Sequence, residues 1–320
     1  MERLRRNLVF ALALGVAVYV TLAILSDLPK LAAALDDFDV ALIPAILGLV
    51  ALSYVGRFLR WTYYLRVLKV SVPTGINAAI FVSGLSMAIS PGKLGEVLKS
   101  VFVRRVSGAP IARTAPAVVA ERATDGTGMV LWGFLGAFAL HLPPWTMLMF
   151  LAVAACGIAI LRSKRLSLAA ERVLRKLPLL NRFAPHLGDF HGASNELLGT
   201  GPLLVGTVIS FFSWGLECTG VYLCAVGLGV DRPFLLIVFV FAVSSLLGVV
   251  SMLPGGIGAV EAGLYGQFVA VANLSTGLAG ALTLVIRLAT LWFATLLGIC
   301  GLILVQRLLG DVALEAEETD

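Results

Sequence analysis

Residues 76–105 read INAAIFVSGLSMAISPGKLGEVLKSVFVRR. The stretch from Ile76 to Ser90 is apolar but short, and it stops at Pro91-Gly92. A second apolar stretch, Leu94 to Val103, follows at once, carries Glu96 and Lys99, and is closed by Arg104 and Arg105. A helix needs roughly 20 apolar residues to cross a bilayer, so neither piece crosses alone. Two short apolar helices broken by Pro-Gly predict a re-entrant hairpin, whose irregular backbone is tolerated only inside protein or against a wet cavity.

The surrounding composition demands a membrane. Of the 320 residues, 59% are hydrophobic and 13% charged, and the mean hydropathy is +0.97. Soluble domains carry about 25% charged residues, so this chain is too apolar to cover a water-facing surface. Six full spans are expected: an uncleaved 8–25 behind Arg3, Arg5 and Arg6, then one from Ala41 toward Arg57–Lys69, then 116–140, 145–161, 202–228 and 277–305. The fold class expected is therefore an all-α polytopic membrane protein with about six spans and two Pro-Gly-broken hairpins. Because 234–253 is long enough to cross by itself, an eight-span arrangement is the alternative.

The second hairpin comes from comparing the sequence with itself. Ser86-Met87-Ala88-Ile89-Ser90-Pro91-Gly92-Lys93-Leu94-Gly95 resembles Ser251-Met252-Leu253-Pro254-Gly255-Gly256-Ile257-Gly258. A glutamate follows each copy, Glu96 and Glu261, and an arginine follows each glutamate at equal spacing, Arg122 and Arg287. The span carrying Arg57 and Arg60 then corresponds to the span carrying Glu217. Span, broken hairpin, span occurs twice. The excess of Lys and Arg in the N-terminus and in 57–69, 104–113 and 162–182 places these segments, and both termini, on the cytoplasmic side. On that topology the hairpins enter from opposite sides, and the expected repeat is inverted, as in many secondary transporters. The chain divides into 1–40, a first span and outer loop; 41–161, the first repeat unit and a linking span; 162–201, a basic loop with an amphipathic surface helix; 202–306, the second unit; and an acidic tail, 307–320.

Ionisable residues inside the membrane are the functional candidates. Each is unfavourable by roughly 2.5–3.5 kcal/mol at the bilayer centre, yet the spans and hairpins hold Glu96, Lys99, Glu121, Arg122, Asp125, Glu217, Glu261 and Arg287. Glu121 and Asp125 (i, i+4) share a helix face, as do Glu96 and Lys99 (i, i+3). Gly92, Gly95, Gly255, Gly256 and Gly258, with Pro91 and Pro254, break the hairpins and free N–H groups at helix starts to meet an anion, with Lys93 at one such start. Arg57, Arg60 and Arg66, among Trp61, Tyr63 and Tyr64, read equally as a headgroup site or as an interfacial belt. The competing reading of the whole set is buried ion pairs that fix helix register. His141, His186 and His191 lie at span ends or in a loop, and Cys156, Cys218, Cys224 and Cys300 in apolar stretches. No metal-ligand spacing or phosphate loop occurs, so no metal and no cofactor are expected.

Arg57-x-x-Arg60-Trp61, Ser90-Pro91-Gly92-Lys93-x-Gly95-Glu96-x-x-Lys99, Glu121-Arg122-x-x-Asp125 and Pro254-Gly255-Gly256-x-Gly258-x-x-Glu261 together resemble the lysylphosphatidylglycerol synthase transmembrane-region family, whose members are often called flippase-like. In larger relatives this region precedes a soluble aminoacyltransferase domain, absent from these 320 residues, so the resemblance implies the transporter half. The expected function is translocation of a phospholipid or polyprenyl-linked lipid, with Lys93, Lys99, Arg122 and Arg287 meeting phosphate. The carboxylates would balance those charges, meet a cationic headgroup or carry a coupling proton or other ion. Nucleic acid is not an expected partner, and the sequence sets no oligomeric state. The alternative is an intramembrane transferase or phosphatase in which paired carboxylates do acid–base work.

Overall fold

The computed structural model describes residues 18–90, 96–152 and 187–318, with side chains through residue 310. Every regular element among them is helical. In chain order these are α1 (Val18–Leu25), α2 (Leu28–Asp36), α3 (Ile43–Val67), α4 (Thr74–Leu85), α5 (Leu98–Ser107), α6 (Ile111–Ala139), α7 (Leu187–Leu197), α8 (Thr200–Gly227), α9 (Phe234–Ser251), α10 (Ala259–Ala270), α11 (Thr276–Arg287) and α12 (Phe293–Glu318). The described part of one further helix, 144–152, lies between α6 and α7.

Four helices among the described residues are long and apolar enough to cross a membrane: Val40–Val67, Thr200–Gly227, Phe234–Ser251 and Thr276–Gly310. The pair α1 and α2, bent by 93°, makes a fifth if it is counted as one broken span. Three of these four were expected; the fourth, Phe234–Ser251, is the arm assigned to the second hairpin. The expected span 116–140 is α6, a helix of 29 residues. Its length suffices, roughly 43 Å at 1.5 Å per residue, but Arg113, Glu121, Arg122 and Asp125 take it out of the apolar set. The expected spans 8–25 and 145–161 lie partly outside the described residues. So do the surface helix expected in 162–201 and the first hairpin's break, where Pro91, Gly92, Lys93 and Gly95 fall.

The helices pack in an exchanged pattern. α3 runs along α8, α4 along α12, and α9 along α6. Two apolar cores result. One is built on α3–α6 around Trp61, Tyr64, Ile80 and Val103; the other on α8–α11 around Val221, Ile237, Leu264 and Ile286. The crossings depend on glycine. A Cβ on Gly298 of α12 would collide with the backbone nitrogen of Ser86, and one on Gly301 would lie 2.7 Å from that of Ser83. Gly136 of α6 similarly meets the Leu235 carbonyl and Phe239 Cβ of α9, at 3.0 and 2.7 Å. Small residues let membrane helices approach until their backbones touch, which gains dispersion where no hydrophobic driving force exists.

Segment boundaries repeat along the chain. One offset carries Thr74, which opens α4, to Phe234, which opens α9. A slightly longer offset carries Ile111, which opens α6, to Thr276, which opens α11. That second offset also carries Gly133 and Gly136 onto Gly298 and Gly301.

Gly298→Ala is expected to lower the unfolding free energy by about 1–3 kcal/mol through overpacking. Gly48→Ala, inside α3 at a position with nothing within 4 Å, is expected to cost nothing and to stabilise by up to about 1 kcal/mol through helix propensity. Denaturant titration of both purified variants in detergent checks this, and equal stability would refute the close-crossing account.

Candidate functional site

Both cores end at one cavity of about 310 Å³. Its apolar lining comes from each of them, Tyr54 and Phe81 on one side and Met129, Trp214 and Phe241 on the other. Of the predicted ionisable residues, Arg57, Arg60, Glu96, Lys99, Glu121, Arg122, Asp125, Glu217 and Arg287 line it. Glu261 stands behind, bound to Arg287. Lys93 lies outside the described residues.

The charges are paired across helices. Arg57 of α3 pairs with Glu217 of α8. Arg60 Nη1 of α3 donates to Asp125 Oδ1 of α6 at 2.7 Å and to Thr124 Oγ1 at 3.1 Å. Lys99 Nζ of α5 donates to Glu121 Oε2 of α6 at 2.5 Å. Arg122 lies 3.2 Å from Glu96 and 3.1 Å from Asp125. Arg287 Nε donates to Glu261 Oε1 at 2.7 Å, and its Nη2 to the Gly255 carbonyl at 2.9 Å. An unpaired ion in such surroundings is prohibitive, and each of these charges has found an opposite one.

The belt reading of α3 fails for its inner residues. Arg60, Trp61 and Tyr64 are fully buried, and only Arg66 of the three arginines is exposed. Helical spacing explains it: Tyr54, Arg57, Trp61 and Tyr64 fall at i, i+3, i+7 and i+10, on one face. Helical spacing also sets Ser210 and Trp214, which the sequence reading did not single out, on the face of α8 that carries the predicted Glu217. There Ser210, Trp214 and Glu217 form a polar stripe in an otherwise apolar helix. Ser210 Oγ and Trp214 Nε1 donate to Asp125 Oδ1 at 3.0 and 3.3 Å, and the Trp214 ring lies 4.4 Å from the Arg57 guanidinium. Thr124 was missed also, since a threonine beside three charges carries no signal of its own.

The second hairpin corrects one expectation. Gly255, Gly256 and Gly258 adopt positive φ of 62°, 64° and 94°, as the Pro-Gly-Gly break requires. The N–H of Gly258 is not left for a ligand, however. It donates to Glu261 Oε2 at 2.7 Å, so a carboxylate from the first turn of α10 caps that helix. After Arg287 the helix continues as a π-helical turn, Leu288–Trp292, a deviation that is frequent at functional sites. Its Thr290 carbonyl accepts from Tyr54 Oη at 3.3 Å.

Within the cavity the cations differ in availability. The side chains of Arg60, Lys99 and Arg287 are 0%, 4% and 7% exposed, whereas that of Arg122 is 33% exposed. Arg122 Nε and Arg60 Nε and Nη2 have no hydrogen-bond partner among the described residues. Arg122 is therefore the most accessible of these four cations, and the unpartnered N–H groups are buried behind it. Among the described residues no group of three or more His, Cys, Asp or Glu is placed to hold a metal ion.

Membrane-length helices around a charged cavity define a multi-pass integral membrane protein. The chain matches the family model "Lysylphosphatidylglycerol synthase TM region" over residues 10–298 and belongs to that family. It is 24% identical over 290 residues to UPF0104 membrane protein PH1989 of Pyrococcus horikoshii, spanning 81% of this chain and 86% of that one. Shorter matches to UPF0104 membrane proteins of Methanothermobacter thermautotrophicus reach 37% and 34% identity, over 28% and 39% of this chain and 27% and 37% of those proteins' length.

Arg60→Leu, which leaves Asp125 without its closest cation, is expected to destabilise the protein by roughly 3–5 kcal/mol, as breaking a buried pair does. Asp125→Asn in the same chain should restore most of it. A double-mutant cycle on unfolding free energies reads the coupling, and additive losses would disprove the pairing.

Proposed function

We propose that this protein is a lipid translocase, a transporter without chemistry of its own on the lipid. The observation that carries the reading is the convergence of five cations and four carboxylates on one cavity at the meeting of the two halves, with a fifth carboxylate, Glu261, bound to Arg287 behind it. Nothing about helix packing requires so many buried charges, because apolar side chains of similar volume stabilise as well or better. A cavity of about 310 Å³ is at the small end of ligand sites. It accommodates a headgroup while the acyl chains stay in the bilayer. Arg122 meets the phosphate first. The family's description, a region of lysylphosphatidylglycerol synthase, supports a glycerophospholipid as the cargo, and a polyprenyl-linked lipid offers the same phosphate chemistry.

The two halves are read as an inverted pair that rocks about the cavity. Arg57 and Glu217 support this. They are related by the same offset that carries α4 onto α9, and they bind each other. Equivalent positions touch one another only near a twofold axis. Glu96 with Arg122, and Glu261 with Arg287, then form one pair in each half. The positive-inside distribution supports cytoplasmic termini in the cell membrane.

Reconstitution with a fluorescent phosphatidylglycerol, followed by quenching with membrane-impermeant dithionite, tests the function. Wild-type vesicles are expected to expose the inner-leaflet label within the assay, while empty vesicles and Glu96→Gln/Glu261→Gln vesicles keep it protected. Equal exposure in variant and wild type would sink the residue assignment. A chemically altered lipid, seen by chromatography, would move the assignment to a membrane-embedded enzyme.

A further inference from the structure

The Lys99–Glu121 pair has no equivalent in the second half. The offset that carries Glu96 to Glu261 carries Lys99 to Leu264 and Glu121 to Ile286, both 0% exposed in that half's apolar core. Lys99 and Glu121 are nearly as buried, at 3% and 1%. The molecule thus carries its own control: between corresponding helices one half packs two aliphatic side chains, and the other holds an ion pair. The fold does not need the charges there.

Charge balance says what they are for. Arg57, Arg60, Lys99, Arg122 and Arg287 face Glu96, Glu121, Asp125, Glu217 and Glu261, so this set sums to zero. A phosphodiester that enters alone leaves one uncompensated negative charge in a medium of low dielectric, where the energy is largest. One that enters with a proton does not.

We propose that Lys99 and Glu121 form a proton-coupling site, at which a phosphodiester anion and one proton bind together. This rests on the translocase reading and adds the coupling ion. The proton comes from water on the side the cavity faces and adds to the Glu121 carboxylate. The phosphodiester takes that carboxylate's place beside the Lys99 ammonium, and both leave on the other side, with no bond to phosphorus made or broken. The charged groups that share the cavity with the pair are Arg57 and Arg60 from α3, Glu96 from the turn before α5, Arg122 and Asp125 from α6, Glu217 from α8 and Arg287 from α11, and Tyr64 of α3 meets Thr124 beside Asp125; from α4, Phe81, Gly84 and Leu85 carry no titratable group. The other carboxylates are bound to guanidinium groups, which are planar and fixed by several donors. Lys99 alone is a compact ammonium on a flexible stem, able to change acceptors, and it rests over the Trp61 ring at 4.3 Å.

Linkage is reciprocal. If one proton is taken up per anion, affinity falls by up to about tenfold per pH unit once Glu121 is ionised. The test is binding of short-chain phosphatidylglycerol to the full chain in neutral detergent from mildly acidic to mildly alkaline pH, followed by tryptophan fluorescence. The diester keeps its single charge throughout, and soluble glycerophosphoglycerol is run in parallel. Wild-type affinity is expected to fall as pH rises. Glu121→Gln, which mimics the protonated acid, should bind independently of pH and more tightly than wild type at the alkaline end. Lys99→Leu/Glu121→Ile, a copy of the second half, should melt no lower than wild type and bind weakly at every pH. Affinity that is independent of pH in wild type, or weaker in Glu121→Gln throughout, overturns the proposal. Binding of the soluble diester but not the lipid keeps the coupling and makes the free anion the cargo. Folded wild type that binds neither ligand at any pH defeats the translocase reading and this one with it.

Discussion

The low-dielectric cost of charge governs this molecule. On insertion scales each ionisable side chain at mid-bilayer is unfavourable by roughly 2.5–3.5 kcal/mol. Ten of them together would exceed the entire range of about 5–15 kcal/mol by which folded proteins are typically stable. The charges therefore have to meet one another, and where they meet sets which helices touch. Arg57–Glu217 joins α3 to α8, Arg60–Asp125 joins α3 to α6, Lys99–Glu121 joins α5 to α6, and Glu261–Arg287 joins α10 to α11. Among the described residues, Arg122–Asp125 is the one pair of the cavity that lies within a single helix. The apolar cores and glycine crossings supply close packing around this frame, but they do not choose its partners.

The same constraint bears on function. A cavity whose charges are all committed to one another is stable while empty, and it admits a ligand only by exchange of partners. Arg122 is poised for that, since it already divides itself between Glu96 and Asp125. If Arg122 turns away from Asp125 Oδ2, the other oxygen, Oδ1, still keeps Arg60, Ser210 and Trp214.

Much of this was legible in the sequence. Ionisable residues inside apolar stretches have few explanations, and all the described candidates but Glu261 line one cavity. What periodicity cannot give is which partner each takes. That Arg57 meets Glu217 rather than a neighbour on its own helix depends on α3 running along α8, a choice made by packing over the whole helix length. The ambiguity of α3 between headgroup site and belt had the same origin, for Arg60 and Arg66 look alike until one is 0% exposed and the other faces outward. The free glycine amides expected in the second hairpin were lost for a local reason. Glu261 is close enough to cap its own helix, and a carboxylate already in place outcompetes a ligand still to come.

The two halves also diverge in length, and the divergence has a place. A single offset carries Arg57, Thr74 and Phe81 onto Glu217, Phe234 and Phe241, but a longer one is needed to carry Glu96, Ile111 and Arg122 onto Glu261, Thr276 and Arg287. The additional residues of the second half therefore enter between its first arm and its glutamate. α9 has 18 residues where α4 has 12, which carries Phe234–Ser251 to span length while Thr74–Ile89 stays short. The first half keeps the short arm and the extra charges Arg60, Lys99, Glu121 and Asp125; at the same positions the second half has Gly220, Leu264, Ile286 and Thr290. These extra charges are 0–4% exposed, so their pairing with one another, and not water, makes them tolerable. Hairpin length and charge content thus differ together between the two halves: seven of the ionisable residues that line the cavity come from the first, and Glu217 and Arg287 from the second.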